Sequence, residues 1–310
     1  MALGKRWILK HHFDGEPKTE DFELVQEELP NLQDGEILVS ALYLSVDPYM
    51  RPYVASMTPP FTMIGQGVYK VLQSKDNDFP EGSMILAKAG WIMTGILKSQ
   101  QDKKILGISM APPIGKLSPS LLLGACGMPG NTAYFGFLEL CQPKPGETVV
   151  VNGAAGAVGS LVGQIAKIKG CHVVGFAGSD EKCDFLVNAL GFDRAYNYKK
   201  TKVGEALKDG APNGVDCFFD NVGGSDAAVI INDHMNAFGR ISVCGAISIY
   251  NDKDLIQVPS TSQSFIFKVC TDILCSTCVI NSFKIILIVA ATQNGRVHCH
   301  SMGSTLDGRC

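Results

Sequence analysis

Neither sign of charge dominates this chain: 27 Lys and Arg face 30 Asp and Glu, for a formal net charge of −3. Docking on nucleic-acid phosphates needs a basic surplus or stripe, so that class of partner is excluded. The longest apolar run near the end, Ile285–Ala291, is far too short to span a bilayer, so no membrane partner is expected. The opening residues MALGKRWILKHHF lack the apolar stretch of a secretory leader, which predicts a cytoplasmic protein. Its 11 cysteines, odd in number and thinly spread, are then expected as reduced thiols. Residues 40–70 hold no Cys and no His, only Asp47 and Gln66 as plausible donors, and residues 80–125 hold no Cys. A catalytic zinc needs three protein ligands and a structural zinc lobe four cysteines, so no metal is expected. Cys275-Ser276-Thr277-Cys278 is one C-x-x-C without a second pair. No repeat of solenoid length is visible.

What is present suits a globular chain with a large core: 310 residues, 46% of them hydrophobic, with 33 glycines. That length is comfortable for two domains. Through about residue 124 the chain runs in short apolar and β-branched stretches. Residues 36–44, 67–72 and 83–87 read as strands, separated by turn-formers such as Asp34-Gly35 and Pro80-Glu81-Gly82. Residues 1–124 are therefore expected to form a β-rich domain. The rhythm then changes. A helical stretch opens at Leu121–Ala125 and a second helix spans 131–140; strands at 148–151, 171–175, 194–198, 215–219 and 239–243 alternate with helices near 157–169, 180–190, 201–209 and 225–237. Alternation of this kind predicts an α/β domain over 125–255 with a parallel, doubly wound sheet. Residues 256–310 form a divergent tail in which the alternation fades. Ile285-Ile286-Leu287-Ile288-Val289 is a run in it that could serve as a strand.

The chemistry gathers at one turn. The strand ending at Val151 runs into Asn152-Gly153-Ala154-Ala155-Gly156-Ala157-Val158-Gly159, and a helix follows. A dinucleotide pyrophosphate needs small residues so that backbone can approach, and a helix N-terminus whose free N–H groups face the anion. Gly156 and Gly159 are the second and third glycines of G-x-G-x-x-G, with Ala154 in place of the first, and the strand–turn–helix setting is the required context. An NAD enzyme usually places Asp or Glu at the end of the next strand. Here Gly178-Ser179 stand there with Lys182 just beyond, which suits a 2′-phosphate; Asp180 and Glu181 argue mildly the other way, though both also serve a helix start. NADP(H) is the expected cofactor. Asp220-Asn221-Val222-Gly223-Gly224 and Cys244–Tyr250 fall at further strand ends, where ligands of open α/β sheets bind. Tyr196 and Lys200 match Tyr-x-x-x-Lys, the acid pair of another reductase class, but at a strand end rather than on a late helix.

Together these stretches, with Val46-Asp47-Pro48-Tyr49-Met50-Arg51, Gly127–Gly136 and Phe238-Gly239-Arg240, resemble the zinc-independent branch of the medium-chain dehydrogenase/reductase superfamily over residues 1 to about 250. The resemblance implies a GroES-like β domain followed by a Rossmann domain, with the site in the cleft between them. It implies hydride transfer from NADPH to the α,β-double bond of lipid enones and alkenals, 15-oxo-prostaglandins among them, and NADP-dependent oxidation of the leukotriene B4 12-hydroxyl. Carried over by motif, Gly156, Ala157, Val158 and Gly159 would cradle the pyrophosphate. Lys182 and Tyr198 would hold the 2′-phosphate end. Asn221, Cys244, Gly245, Ala246, Ile247, Ser248, Ile249 and Tyr250 would line the ribose and nicotinamide. Tyr250 is the candidate hydroxyl at the substrate carbonyl; a loop aromatic without that role, or the cofactor's own ribose hydroxyl polarising the carbonyl, are the alternatives. The family's homodimer edge and last Rossmann strand lie beyond 256, where the likeness ends. An incomplete sheet edge is therefore expected, and with it a competing reading: an NADPH-binding chain with impaired catalysis.

Overall fold

The computed structural model describes residues 2–252, Thr261 and the backbone of Thr271–Leu274. Two compact units divide the chain. One is built from the residues through Met128 together with Tyr250, Asn251 and Asp252, the other from Pro129 through Ile249 with Thr271–Leu274.

The first unit contains β1 (Leu3–Leu9), β2 (Phe22–Glu28), β3 (Ile37–Leu44), the short helix α1 (Met50–Val54), β4 (Phe61–Thr62), β5 (Gly67–Ser74), β6 (Met84–Ala87), β7 (Ile92–Leu97) and β8 (Ser109–Met110). These strands form an antiparallel sheet in the order β2-β1-β7-β3-β5-β6-β8, with β4 paired to β1. Ile37, Val39, Tyr69, Val71, Phe79 and Ile85 fill its interior. The buried Tyr69 hydroxyl keeps a partner by donating to the Gly90 carbonyl at 2.9 Å.

The second unit opens with α2 (Met128–Leu138). It then alternates β9 (Thr148–Val151), α3 (Ala157–Ile168), β10 (His172–Ala177), α4 (Asp180–Asn188), β11 (Arg194–Asn197), α5 (Val203–Gly210), β12 (Val215–Asp220), α6 (Gly224–Val229) and β13 (Met235–Val243), and β14 (Thr271–Leu274) adds a last strand. Its six strands are all parallel, in the order β11-β10-β9-β12-β13-β14. Numbered within the sheet that is 3-2-1-4-5-6, the Rossmann order, with the switch point between β9 and β12. All four residues of β9 are buried, as a central strand covered on both faces requires.

Two differences from the sequence-based expectation have physical causes. The helix expected to reach 237 stops early: α6 ends at Val229, a wide turn covers Ile230–His234, and β13 already begins at Met235. Met235, buried against Val215, Ile230 and Ile231, gains more from the core than from one further helical turn. The early start leaves extra residues on β13 between the pairs Val215–Met235 and Cys217–Arg240, and Phe238 sits in that bulge at φ 64°. The sheet edge is also less bare than expected, since β14 pairs with β13 from Arg240–Thr271 to Val243–Leu274. The run Ile285–Val289 lies outside the described residues.

The helix α3 buries Gly159, Val162, Gly163 and Ala166, an i, i+3, i+4, i+7 stripe of small side chains that lets it lie close on the sheet. Phe192 occupies the space this leaves: a Cβ on Gly163 would sit 1.9 Å from the Phe192 ring. Gly163→Ala is therefore expected to lower the unfolding free energy by about 1–3 kcal/mol despite the better helix former, and Phe192→Leu in the same chain to recover part of it, measured by urea unfolding. At the opposite end of the strands Arg240 of β13 donates from Nε to the Cys141 carbonyl at 2.8 Å and from a terminal nitrogen to Glu147 Oε2 at 2.5 Å. Burial opposes ionisation of Glu147, but Arg240 and the Lys144 N–H outweigh it and hold its pKa below the ordinary value. A carboxyl with a lowered folded-state pKa stabilises the fold above its unfolded pKa of about 4.3 and loses that contribution as pH falls through the folded value. Glu147→Gln is thus expected to cost about 1.5–3 kcal/mol at neutral pH, with the gap to wild type closing in acid below about pH 4.

Candidate functional site

The turn after β9 has the shape a pyrophosphate needs. Gly156 stands at the N-cap of α3 with no side chain to occupy the first-turn N–H groups of Ala157, Val158 and Gly159. A Cβ on Gly159 would lie 2.5 Å from the Gly153 carbonyl oxygen and 2.8 Å from the Ala154 Cα, so only glycine lets the helix start this close to the turn. Gly153 itself has φ +57°. These features fit a dinucleotide: an open helix N-terminus of 12 residues at the switch point of a parallel sheet, with backbone rather than side chains facing out.

At the end of β10 the Ser179 hydroxyl caps α4 by accepting from the Lys182 N–H at 3.3 Å, which puts Lys182 in the first turn. The Tyr198 N–H donates to the Ala177 carbonyl at 3.2 Å, and its hydroxyl would lie 3.1 Å from a Cβ on Gly178. Tyr198, Gly178 and Ser179 are thus neighbours, with Lys182 one turn away. The acid that argued against a 2′-phosphate is engaged elsewhere: Asp180 accepts from Asn197 Nδ2 at 2.8 Å and from Lys200 Nζ. The Asn197 bond first and the Lys200 ammonium second lower its pKa. Lys200, which in the sequence is only half of a chance Tyr-x-x-x-Lys match, is a second cation at this strand end. Tyr196, the other half, points its hydroxyl at a different carboxylate. It donates to Asp209 Oδ2 at 2.5 Å, and burial with that bond pushes its pKa up to about 12.

Across the switch point a compact network joins the remaining predicted residues. Asn152 and Asp220, the residues at the ends of β9 and β12, are only 6% and 4% exposed. Asn152 Nδ2 donates to Asp220 Oδ1 at 2.6 Å, its Oδ1 accepts from the Asn221 N–H at 2.6 Å, and its carbonyl accepts from Asn221 Nδ2 at 2.9 Å. The same Asp220 Oδ1 accepts from the N–H groups of Val222 at 2.9 Å and Gly223 at 2.7 Å. The chain after β13 is laced onto this turn. Cys244 and Gly245 donate to the Asp220 carbonyl, Ile247 to that of Asn221, and Ser248 to that of Val222 through both its N–H and its hydroxyl. The structure therefore gathers Gly156–Gly159, Asn221 and residues 244–249 at neighbouring strand ends of one sheet. Tyr250 falls in the first unit, where Asn251 Oδ1 accepts from Arg51 Nε at 3.2 Å. Arg51 also donates to the Gly15 carbonyl and lies over the Phe13 ring at 5.2 Å.

Sequence reasoning missed the side-chain roles of Asn152, Asp220 and Arg51. The first two had a signal: a polar residue closing an unbroken apolar strand, Val149-Val150-Val151-Asn152 and Phe218-Phe219-Asp220. An open groove of about 650 Å³, lined in part by Lys202, Lys208, Asp226 and His234, shares only Tyr198 with the predicted residues. Among the described residues no group of three or more His, Cys, Asp or Glu could hold a metal ion, and none of the six described cysteines is in a disulfide.

Two family signatures match the chain, "N-terminal domain of oxidoreductase" over residues 5–105 and "Zinc-binding dehydrogenase" over 157–271. The second runs past the point near 256 where likeness was expected to end. The chain is 51% identical to prostaglandin reductase 1 of Bos taurus over 269 residues, 86% of this chain and 80% of that protein. It is 44% identical to the NADP⁺-dependent 2-alkenal reductase of Nicotiana tabacum, over 80% of this chain and 74% of the other. The crystal structure of CurA from Vibrio vulnificus in complex with NADPH superposes with a TM-score of 0.78 at 36% identity, covering 87% of this chain and 81% of CurA. The chain belongs to the medium-chain dehydrogenase/reductase superfamily, in the family of the prostaglandin reductases.

Proposed function

We propose that this protein reduces the α,β-double bond of enones with NADPH, its substrates being 15-oxo-prostaglandins and 2-alkenals. The glycine turn at the switch point of the sheet carries the nucleotide half of this reading. Relatives named for prostaglandin and 2-alkenal reduction support the substrate half. NADPH, when bound, supplies the hydride that an enone takes at its β-carbon.

The chain's own residues bind, orient and donate. The first-turn N–H groups of Ala157, Val158 and Gly159 hold the pyrophosphate, with the α3 dipole behind them. Lys182 and the Tyr198 hydroxyl bind the 2′-phosphate, and Asp180 does not oppose them because Asn197 and Lys200 occupy its carboxylate. Asn221 and the stretch from Cys244 to Ile249 face the ribose and nicotinamide. The Tyr250 hydroxyl donates to the substrate carbonyl oxygen, where negative charge develops, and later protonates the enolate. The residues through Met128 with Tyr250 form the substrate unit, and the protein works in the cytoplasm. In a second reaction with NADP⁺, the same site takes a hydride from the carbinol carbon C12 of leukotriene B4 and releases the hydroxyl proton, which leaves a 12-ketone and NADPH.

The deciding experiment follows loss of NADPH absorbance by the purified chain with a 15-oxo-prostaglandin and with a 2-alkenal, NADH being run beside it. Turnover with NADPH supports the reading; tight NADPH binding without turnover overturns it in favour of nucleotide binding alone. Lys182→Ala is expected to raise KM for NADPH about tenfold or more while leaving KM for NADH near wild type, as loss of one charge-assisted phosphate contact requires. Tyr250→Phe is expected to lower kcat at least about tenfold with little change in KM for NADPH.

A further inference from the structure

Resting on the NADPH reading above, we infer that Asp220 is a positioning residue: through Asn152 it latches the pyrophosphate turn to the loop that faces the nicotinamide, so that the cofactor's two ends are clamped as one site. Three donors converge on the single oxygen Asp220 Oδ1, namely Asn152 Nδ2 at 2.6 Å, Gly223 N at 2.7 Å and Val222 N at 2.9 Å. Asp220 is only 4% exposed, so water is no substitute acceptor if its carboxylate is removed. Asn152 opens the pyrophosphate turn, and its side chain uses both its polar atoms across the switch point, on Asp220 and on the Asn221 N–H. The turn from Asp220 to Val222 in turn supplies the carbonyls that accept from Cys244, Gly245, Ile247 and Ser248.

The bonds therefore run in series: pyrophosphate turn, Asn152, Asp220, the 221–224 turn, the 244–249 loop. None of them reaches the other end of the nucleotide site. There the Lys182 N–H donates to the Ser179 hydroxyl, the Tyr198 N–H to the Ala177 carbonyl, and the side chains of Asn197 and Lys200 to Asp180. Loss of the latch leaves the adenosine end intact and loosens the nicotinamide end.

The test measures binding of two probes, NADPH by its fluorescence and 2′,5′-ADP by calorimetry, to wild type, Asp220→Ala and Asp220→Asn. Asp220→Ala is expected to raise Kd for NADPH about ten- to a hundredfold, to abolish the fluorescence enhancement of the bound nicotinamide, and to change Kd for 2′,5′-ADP less than about twofold. Asp220→Asn keeps an acceptor oxygen in place and is expected to recover most of the loss. If Asp220→Ala yields no folded protein, Asn152→Ser, too short to reach both partners, is expected to show the same split between the probes. Parallel weakening of both probes, no weakening of either, or an Asp220→Asn protein as impaired as Asp220→Ala overturns the inference while leaving NADPH binding standing. Wild type that binds neither probe overturns the NADPH reading and the latch together.

Discussion

A parallel sheet covered on both faces shuts water out from its central strands, so a polar group that ends such a strand must find its partner in protein. In this chain β9 and β12 end side by side at the switch point with Asn152 and Asp220, both buried, and each answers the other's need. That mutual satisfaction fixes more than two side chains. It sets where the glycine turn leaves β9, aims the turn after β12, and through the carbonyls of that turn holds the chain that leaves β13. The dinucleotide site is thus a by-product of solving the hydrogen-bond problem of a buried sheet edge-on to its ligand.

The proposed preference for a 2′-phosphate rests on a different kind of force. Ser179 and Lys182 stand at the start of α4, where the helix dipole already favours an anion. Two carboxylates at the same helix start would cancel that advantage if both were left free. Asp180 is instead the acceptor for Asn197 and Lys200, side chains brought from the end of β11. Such an exposed pair contributes little to folding. Its consequence is local potential: a carboxylate with its own cation no longer repels a phosphate placed beside Lys182.

How far the sequence made this legible follows from the range of each interaction. The Rossmann half was readable because the period of apolar residues and the glycine turn are local, and the expected strands at 148–151 and 194–198 match β9 and β11 within a residue. The end of the helix before β13 was not readable, because burial of Met235 against Val215 is a tertiary event that outweighs local propensity. In the first unit β1, β2 and β7 escaped notice. Strand pairing there joins residues such as Lys5 and Thr94, whose alternation is too weak to announce it. The glycines of the site were visible, since a missing side chain is itself a signal. Asn152 and Asp220 stand out as polar residues closing apolar strands, but their pairing was not readable, because a hydrogen bond between positions 152 and 220 leaves no trace in the spacing of either.

The proposed polarising hydroxyl stands at a covalent junction. Residues from Pro129 through Ile249 belong to the nucleotide-binding unit and Tyr250 to the other, so the chain passes from the loop proposed to face the nicotinamide to the proposed donor in one step. Covalent continuity holds the two Cα atoms about 3.8 Å apart however the units are arranged. Arg51 then anchors the far side of Tyr250 by holding Asn251, while Ser248 is tied to Val222 on the near side. Tyr250 is thus flanked on each side by a residue held by hydrogen bonds within its own unit.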